Sequence, residues 1–228
     1  MHESTKTNAI RGYEFIDTYL SGKVLDIGAG SDLVCQSAER FDKDEGDANQ
    51  ITKYLKPSTY DAVHSSHCLE HMWQPQKALD GWWSLIKPGG FLVLVVPDED
   101  LYEQGFWPSR FNCDHKASFT IRKKNSWCPA SYNLLDMVES LPRAEVISIE
   151  LQDRHYDYKL KTKHPPRPVK ELGAAQRTIR KIFRRLLRKT NYYQLIENYD
   201  FFKRNIPIDQ TLRGAVAQIQ VVAKKSLP

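Results

Sequence analysis

The sequence predicts a single α/β domain built on a doubly wound, mostly parallel sheet. Short apolar runs typical of buried strands alternate along the chain with amphipathic segments typical of helices. The chain has 228 residues, of which 41% are hydrophobic and 27% charged, enough for one full core. In such folds ligands bind beyond the carboxyl ends of the strands, so the loops that follow the strands are the expected site.

The first third of the chain predicts a helix, a strand and a glycine turn. Apolar residues recur at helical spacing in "AIRGYEFIDTYLSG", which favours a helix that stops near Gly22. The segment "KVLDIG" is a predicted buried strand. After it, "SDLVCQSAER" predicts a short helix with Ser31 as its N-cap, and a second short strand is expected to end at Asp42.

The middle of the chain predicts two further strands and a helix. A strand is expected to begin at Tyr60, and "QPQKALDGWWSLIKPGG" predicts an amphipathic helix that ends at its Pro-Gly-Gly. The run "FLVLVVP" has the continuous apolar character of a buried parallel strand. A long aromatic loop follows, and then a helix in "SYNLLDMVESL" and a strand in "AEVISIELQD" are predicted.

The last third of the chain is strongly basic before it returns to a strand pattern. Between Lys159 and Lys189 there are twelve Lys or Arg residues and one acid, Glu171. A cationic amphipathic helix is predicted within that stretch, and the alternation of "GAVAQIQVVAKK" predicts a closing strand. We therefore expect one domain, with a core of about 10–158 and 213–225 and a basic insertion of about 159–212.

Composition argues against several classes of protein. The four cysteines show no Cys-x-x-Cys spacing, which favours free thiols over a zinc or redox site. The N-terminus lacks the basic flank and apolar run of a signal peptide, and no apolar run is long enough to span a membrane. We therefore expect a cytoplasmic protein.

The glycine turn after the first predicted strand indicates a ligand site. Gly28 and Gly30 let the backbone approach a ligand closely, because neither carries a Cβ. Leu33 occupies the third glycine position of a dinucleotide fingerprint, and the Gly-Lys-Ser/Thr of a phosphate loop is absent. Asp26, in the strand before the turn, would suit a ligand with a cationic amino or sulfonium group. Asp42, at a predicted strand end, could accept hydrogen bonds from both hydroxyls of a ribose.

Four motifs in order resemble the class I S-adenosylmethionine-dependent methyltransferases. They are "VLDIGAGS", "FDKDEGDA", "YDAVHSSHCLEH" and "LIKPGGFLVLVVPD". The resemblance covers about residues 13–155 and is especially close to small methyltransferase-domain proteins of bacterial surface-glycan biosynthesis. It implies S-adenosylmethionine as cofactor and a Rossmann-like, seven-stranded sheet. The last strand would be antiparallel, with the basic helical insertion before it.

The resemblance also implies which residues bind the cofactor. The glycine turn would surround its methionine end, Asp42 its ribose, and Asp47 with Ala48 its adenine. The helix that usually precedes the Gly-Asp-Ala motif is nearly gone here, so Asp44 and Glu45 are alternatives to Asp42. The implied cofactor-binding residues are Asp26, Gly28, Ala29, Gly30, Asp42, Asp47, Ala48, Ser65, Ser66 and His67.

Three histidines are candidates for a general base that removes the proton of an acceptor hydroxyl. We favour His115, because its loop follows the strand "FLVLVVP" and can fold over the cofactor, with Asp114 placed to orient the imidazole. His67 and His71 are the alternatives, and loss of the proton to water is a third. Asp153, His155 and Asp157 alternate in "DRHYDY", but without a fourth distant ligand we predict no metal site.

The acceptor and the basic helix allow several interpretations. Aromatic residues in the loop around His115 suit a sugar, so we expect O-methylation of a sugar or surface glycan. The alternatives are a methyltransferase for a small metabolite or quinone, and a catalytically silent binding protein. The basic helix at 174–190 could dock on an anionic membrane or a protein partner, pack on the core, or bind nucleic acid. Nucleic acid is the least favoured, because no RNA-binding module is recognisable.

Overall fold

The computed structural model describes residues 3–170, 172–187 and 192–228. Glu171 and residues 188–190 of the predicted basic segment lie outside this range. Six strands within the described residues form one sheet. They are β1 (Val24–Ile27), β2 (Glu39–Phe41), β3 (Tyr60–Ser66), β4 (Ile86–Pro97), β7 (Ala144–Gln152) and β8 (Gln218–Lys225), and a second small sheet pairs β5 (Ser118–Thr120) with β6 (Ser131–Asn133).

The helices pack on both faces of the larger sheet or extend from it. Their bounds are α1 (Glu3–Asn8), α2 (Tyr13–Tyr19), α3 (Pro75–Ser84), α4 (Leu134–Glu139), α5 (Ala174–Leu187) and α6 (Tyr192–Arg204). Among the described residues, no helix combines the length and the apolar character that crossing a membrane requires.

The order of strands across the larger sheet is β2-β1-β3-β4-β8-β7. The pairs β1–β2, β1–β3 and β3–β4 are parallel, whereas β8 runs antiparallel to both β4 and β7. The predicted α/β fold with an antiparallel final strand is confirmed. The carboxyl ends of β1, β2 and β3 lie side by side at the same end of the sheet, where the sequence predicts the ligand site.

The prediction of a seven-stranded sheet was wrong for the part of the chain that the structure describes, where β2 is the edge strand. A further parallel strand after β2 would need a crossover of about a dozen residues. Only residues 43–46 separate Asp42 from Asp47, and the chain then forms a 3₁₀ helix at Ala48–Lys53. The connection is too short to reverse direction twice and add a strand.

The short helix predicted in "SDLVCQSAER" was also wrong, because residues 31–38 form turns that lead directly into β2. The Val34 amide donates to Asp26 Oδ2 at 2.7 Å, and the Val34 carbonyl accepts from the Asn8 side chain at 2.8 Å. In a helix capped by Ser31, the Val34 carbonyl would accept from the amide four residues on, and the Val34 amide would donate to the Ser31 side chain. Tertiary contacts to β1 and α1 replace it, and Ser31 therefore caps no helix.

Two tryptophans of α3 fix one face of the sheet to the turns around the predicted site. Trp82 and Trp83 are almost fully buried, and each indole N–H has a main-chain acceptor. Trp82 Nε1 donates to the Ala48 carbonyl at 2.9 Å, and Trp83 Nε1 donates to the Pro142 carbonyl at 3.0 Å. Burial of these rings positions the Gly-Asp-Ala turn against the sheet.

The insertion between β7 and β8 contains α5 and α6, and α5 does not bury its apolar side chains. Ile179, Ile182 and Phe183 are each more than half exposed. The two helices are joined by an ion pair, in which Asp200 of α6 accepts from Arg180 of α5 at 2.9 Å. The interpretation in which the basic helix packs its apolar stripe on the core therefore finds no support. The boundaries between core and insertion stay a prediction.

Candidate active site

A cavity of about 630 Å³ opens at the carboxyl ends of β1, β2 and β3. Its volume falls within the usual range of small-molecule sites. Five residues of the predicted cofactor set line it, as do two of the predicted catalytic residues besides His67. The lining consists of Gly28, Phe41, Asp42, Lys43, Gly46, Asp47, Ala48, Asn49, Tyr54, His67, Cys68, His71, Met72, Asp114 and Lys116.

The glycine turn after β1 requires glycine for conformational reasons. Gly28 has a φ of 76°, and a Cβ at this position would lie 2.7 Å from the Cβ of Cys68. Gly30 has a φ of 57°, and its amide donates to Asp42 Oδ2 at 2.7 Å. The turn is therefore closed by the carboxylate at the end of β2. Ala29 and Gly30 belong to this turn but do not line the cavity.

Asp42 is the acid of its segment that faces the cavity. Its Oδ1 accepts from the Lys43 amide at 2.7 Å, so both carboxylate oxygens already hold a main-chain N–H. Each oxygen has a second lone pair, which leaves capacity for hydroxyl donors. Asp44 and Glu45, the alternatives, both pair with Arg40 and do not line the cavity.

The Gly-Asp-Ala turn forms another wall of the cavity. Asp47 Oδ1 accepts from the Asn49 amide at 2.9 Å and from its side-chain nitrogen at 2.8 Å. These hydrogen bonds lower the pKa of Asp47, so the group is ionised at neutral pH. The ring of Tyr54 lies 2.9 Å from where a Cβ of Gly46 would be, so this glycine lets the ring lie flat against the backbone.

Asp26 lies beneath the cavity rather than in its wall, and its side chain is fully buried. Its Oδ1 is 2.6 Å from His64 Nδ1, and its Oδ2 accepts from Val34. Burial lowers the pKa of His64, so this imidazole is neutral and donates its Nδ1–H to Asp26. The other nitrogen of His64 lies 3.4 Å from an amino group of Arg11, whose pKa burial lowers to about 10.

The two serines at the end of β3 do not line the cavity either. Ser65 is fully buried, and its hydroxyl donates to the Ile27 carbonyl at 3.0 Å. The Ser66 hydroxyl is buried and has no hydrogen-bond partner within the described residues. The resemblance implied Ser65, Ser66 and His67 as cofactor-binding residues, and of these only His67 lines the cavity.

His67 lines the cavity and is held in a left-handed conformation with a φ of 53°. Its Nε2 is 3.0 Å from Gln218 Oε1 on β8, and its Nδ1 is 3.6 Å from Glu70 Oε1. Burial lowers the pKa of His67, but Glu70 and the other acceptors raise it by more, so it lies above the ordinary value. This histidine links the final strand to the cavity wall.

The other two candidate histidines lie side by side, with ring centroids 5.1 Å apart. His71 lines the cavity, and its Nδ1 is 3.1 Å from Asp114 Oδ2. His115, the favoured base, is 7% exposed and does not line the cavity. Its Nδ1 is 2.7 Å from Glu103 Oε1, and its ring stacks on Tyr102. Tyr102 is thus used for packing in the aromatic loop.

Sequence reasoning missed the two buried acids that organise these histidines. Glu70 is 1% exposed, and its Oε1 lies between 3.6 and 3.9 Å from a nitrogen of each of His67, His71 and His115. Burial raises the pKa of Glu70, but the histidines lower it by more, so the carboxylate is ionised. Its position between two histidines in "HCLEH" was the available signal. No local sequence pattern marks Glu103, because its contact with His115 forms only when the chain folds.

A family model described as "Methyltransferase domain" matches residues 11–134, more than half of the chain. The chain therefore belongs to the methyltransferase-domain family. S-adenosylmethionine is the expected cofactor. A comparison with curated protein sequences finds no match.

Several solved structures are similar to the chain at low sequence identity. The YcgJ protein of Bacillus subtilis is 14% identical over 100% of both chains, with a TM-score of 0.50. A SAM-dependent methyltransferase of Archaeoglobus fulgidus is 17% identical over 99% of this chain and 95% of that one, with a TM-score of 0.48. Phosphoethanolamine N-methyltransferase 2 of Haemonchus contortus, in complex with S-adenosylmethionine, is 15% identical over 95% of this chain and 53% of its own, with a TM-score of 0.46.

Proposed function

We propose that this protein transfers the methyl group of S-adenosylmethionine to a hydroxyl oxygen of a sugar or surface glycan. The observation that carries the methyltransferase part is the cavity at the carboxyl ends of β1, β2 and β3, in a chain of the methyltransferase-domain family. The cofactor supplies an electrophilic methyl group on a sulfonium whose neutral thioether is a good leaving group. Catalysis then depends mainly on positioning and on exclusion of water.

The cavity residues fit the cofactor at its nucleoside end. Asp42 has acceptor capacity for the ribose hydroxyls, and Asp47 is an ionised acceptor for an exocyclic amine. The flat ring of Tyr54 and the bare backbone of Gly28 leave room for bulky groups. Asp26 has no such role in this proposal, because its side chain is fully buried and does not line the cavity.

The acceptor would enter along the opposite wall, formed by His71, Asp114 and Lys116. Trp73 lies at this rim, 76% exposed, with its amide donating to Asn49 and the Lys116 ammonium 4.6 Å above its ring. An exposed aromatic face suits the apolar face of a sugar ring. Lys116 could meet a phosphate or carboxylate of the acceptor. Deprotonation of the acceptor hydroxyl is assigned to the histidine cluster, and not to one member of it.

Calorimetric titration with S-adenosylmethionine tests the cofactor site. Asp42→Ala removes the proposed ribose acceptor and should weaken binding about 10- to 100-fold, the usual effect of losing a hydrogen bond to a charged group. Asp44→Ala is the matched control, because Asp44 lies two residues away and pairs only with Arg40. Its affinity should stay within about twofold of the wild type. Equal effects of the two substitutions would refute the assignment of Asp42.

Transfer of labelled methyl groups to a panel of acceptors tests the substrate class. Nucleotide sugars and oligosaccharides form one arm, and catechols and quinols form the other. Methylation in the first arm supports the proposal, and methylation in the second arm alone favours a small-metabolite or quinone methyltransferase. If the protein binds no cofactor at all, the family fold serves here as a catalytically silent binding protein.

We also propose that the α5–α6 unit docks on an anionic membrane surface. Leu186, Leu195 and Phe202 are more than 60% exposed, and basic residues alternate with apolar ones along α5. A groove between the two helices, lined by residues such as Ile179, Phe183 and Tyr192, adds further exposed apolar surface. Cationic amphipathic helices with this pattern bind anionic lipid through both charge and apolar burial.

Co-sedimentation with lipid vesicles tests this surface. The protein should bind vesicles that contain phosphatidylglycerol, and binding should weaken with salt and be absent on pure phosphatidylcholine. Replacing Ile182 and Phe183 by serine should reduce binding at least tenfold and leave the unfolding midpoint unchanged. Binding that persists in this double variant, or a preference for RNA over lipid, would contradict membrane docking.

A further inference from the structure

We propose that Glu70, His71 and His115 bind a divalent transition-metal ion at the inner wall of the cavity. One donor atom of each residue lies within 4.8 Å of the others, and Glu70 Oε1 is 3.9 Å from the Nε2 atom of each histidine. Glu70 and His115 are buried, whereas His71 reaches the cavity. This replaces the expectation, drawn from sequence alone, that the protein has no metal site.

The second nitrogen of each histidine is already held by a carboxylate. His115 Nδ1 lies 2.7 Å from Glu103 Oε1, and His71 Nδ1 lies 3.1 Å from Asp114 Oδ2. An imidazole that donates its Nδ1–H in this way presents a lone pair on Nε2, and metal-binding histidines are usually oriented by such a partner. Both lone pairs then face the carboxylate of Glu70. Three acceptors therefore converge, an arrangement that a cation would stabilise, and the other histidine near Glu70 Oε1 is His67, whose Nδ1 lies 3.6 Å away.

Glu70 offers an independent observation. The residue is 1% exposed, and its Oε2 is buried without a hydrogen-bond partner among the described residues. A buried carboxylate oxygen without a partner carries the full cost of its lost hydration, unless a cation or donor replaces the water. A metal ion held between Oε1 and the two imidazoles would satisfy Oε2 as well if Glu70 binds it through both oxygens.

The donor set indicates the class of metal. Two imidazoles and one carboxylate suit Zn²⁺ and Mn²⁺ and leave coordination positions free. With metal–ligand bonds of about 2.0–2.2 Å, neighbouring donors lie roughly 3–3.5 Å apart, so the two 3.9 Å spacings and the third spacing, which is within 4.8 Å, would contract when an ion binds. His71 forms part of the cavity wall, so the free positions would face the acceptor.

The role of the ion in the reaction rests on the proposed function, whereas its binding does not. A hydroxyl coordinated to a divalent ion has a lowered pKa, because the metal stabilises the alkoxide. Because His71 and His115 would use their Nε2 lone pairs on the ion, the hydroxyl proton leaves to solvent and not to these two histidines, and the oxygen forms a bond to the methyl carbon. The carbon–sulfur bond breaks with its electron pair passing to sulfur, which becomes a neutral thioether.

Calorimetric titration of the chelator-treated full chain with Mn²⁺, without cofactor, tests the binding. Mn²⁺ is the probe because it prefers imidazole and oxygen ligands over the thiol of the exposed Cys113. The wild type should bind one ion, and Glu70→Gln should weaken binding at least 100-fold. His155→Asn is the control, because it removes an exposed imidazole that lies outside the cluster. Its affinity should match that of the wild type.

A second variant guards against misfolding. Glu103→Gln keeps the shape of the residue that orients His115, and loss of such a partner should weaken Mn²⁺ binding about 10- to 100-fold. Circular dichroism must show that each variant is folded. The proposal is overturned if the folded wild type binds no Mn²⁺, or binds it as well after Glu70→Gln.

Failure of the metal site and failure of the proposed function give different results. A chain that binds S-adenosylmethionine and methylates an acceptor with equal rate in a chelator overturns the role of the ion in the reaction and leaves the methyltransferase proposal standing. A chain that binds Mn²⁺ through Glu70 but neither binds the cofactor nor methylates any acceptor overturns the methyltransferase proposal and leaves the metal site standing.

Discussion

Two buried carboxylates near the carboxyl ends of neighbouring strands, Asp26 and Glu70, differ in how completely the protein partners them. Asp26 has a donor on each oxygen, and its charge is balanced through His64 by Arg11. Glu70 has one oxygen with no partner among the described residues, and three histidines that lie 3.6 Å or more from the other. The comparison indicates that the fully partnered acid supports the fold, and that the incompletely partnered acid is available to a ligand.

The largest expected effect is that of Asp26→Asn. The substitution leaves the buried guanidinium of Arg11 without its counter-charge and replaces an oxygen that accepts from Val34 or His64 by an NH2 group, so it should lower the free energy of unfolding by about 3 kcal/mol or more. Urea denaturation followed by circular dichroism measures the change. Asp80→Asn is the control, because Asp80 is exposed on α3 and accepts only from Gln76 on the same helix; it should change stability by less than about 0.5 kcal/mol. A decrease of less than about 1 kcal/mol in the free energy of unfolding for Asp26→Asn would contradict the inference that Asp26 supports the fold.

The second effect is a pH dependence that comes from His64. Its pKa is lowered in the folded protein, so the unfolded chain binds more protons below the ordinary pKa of about 6.5. The contribution of His64 to the free energy of unfolding is therefore fully present above that pH and is lost as the pH falls. The loss should reach up to about 2 kcal/mol at pH 5. His64 faces Asp26 and Arg11, and the pKa of Arg11, lowered by burial to about 10, keeps the guanidinium charged over this range.

Urea denaturation of the wild type and of His64→Gln at pH 7.5 and pH 5 measures this contribution. The wild type should lose more stability than the variant between the two pH values, because the variant has no imidazole to protonate on unfolding. Equal losses would show that His64 is not held neutral, and the account of the Asp26 cluster would need revision.

Glu70→Gln should affect stability less than Asp26→Asn does. The substitution removes the negative charge of a buried carboxylate whose Oε2 has no partner among the described residues. The lower cost of desolvating the neutral side chain offsets the lost attraction to the histidines. In metal-free protein we expect a change of about 1 kcal/mol or less in the free energy of unfolding. A destabilisation as large as that of Asp26→Asn would show that Glu70 is a structural acid.

The smallest effects sharpen the same contrast with two adjacent serines. Ser65→Ala removes a buried hydroxyl that donates to the Ile27 carbonyl and should cost about 1 kcal/mol. Ser66→Ala removes a buried hydroxyl without a partner within the described residues and should leave stability unchanged or slightly raise it. Thermal unfolding of both variants measures the difference. A larger loss of stability for Ser66→Ala than for Ser65→Ala would contradict the inference that buried polar groups with hydrogen-bond partners stabilise the fold and those without partners do not.

The sequence sufficed for the parts of the fold and site that depend on local pattern. The apolar runs of β1, β3 and β4, the glycine turn and the acid Asp42 beyond β2 all follow from short stretches of the chain. The missing helix after Gly30 could not be predicted, because Asn8 and Asp26 take its main-chain groups. The seventh strand could have been excluded, since the four residues before Asp47 were visible as too few.

The site contacts that escaped prediction depend on distant partners. His115 meets Glu103 across 12 positions, and His67 meets Gln218 across 151, so no local motif marks either pair. Asp26 was assigned to the ligand because its burial and its contact with His64 are properties of packed strands, which alternation and spacing do not reveal.

The placement of β8 has a consequence for how the molecule assembles. This strand follows every other strand in chain order, yet it lies between β4 and β7 in the interior of the sheet. The earlier strands leave a gap that only this late segment fills, and such non-local pairing slows folding. Gln218, the first residue of β8, makes a hydrogen bond with His67, so this part of the cavity wall forms only after β8 has inserted between β4 and β7. A nascent chain that stops before Gln218 would carry an open sheet and an unfinished site.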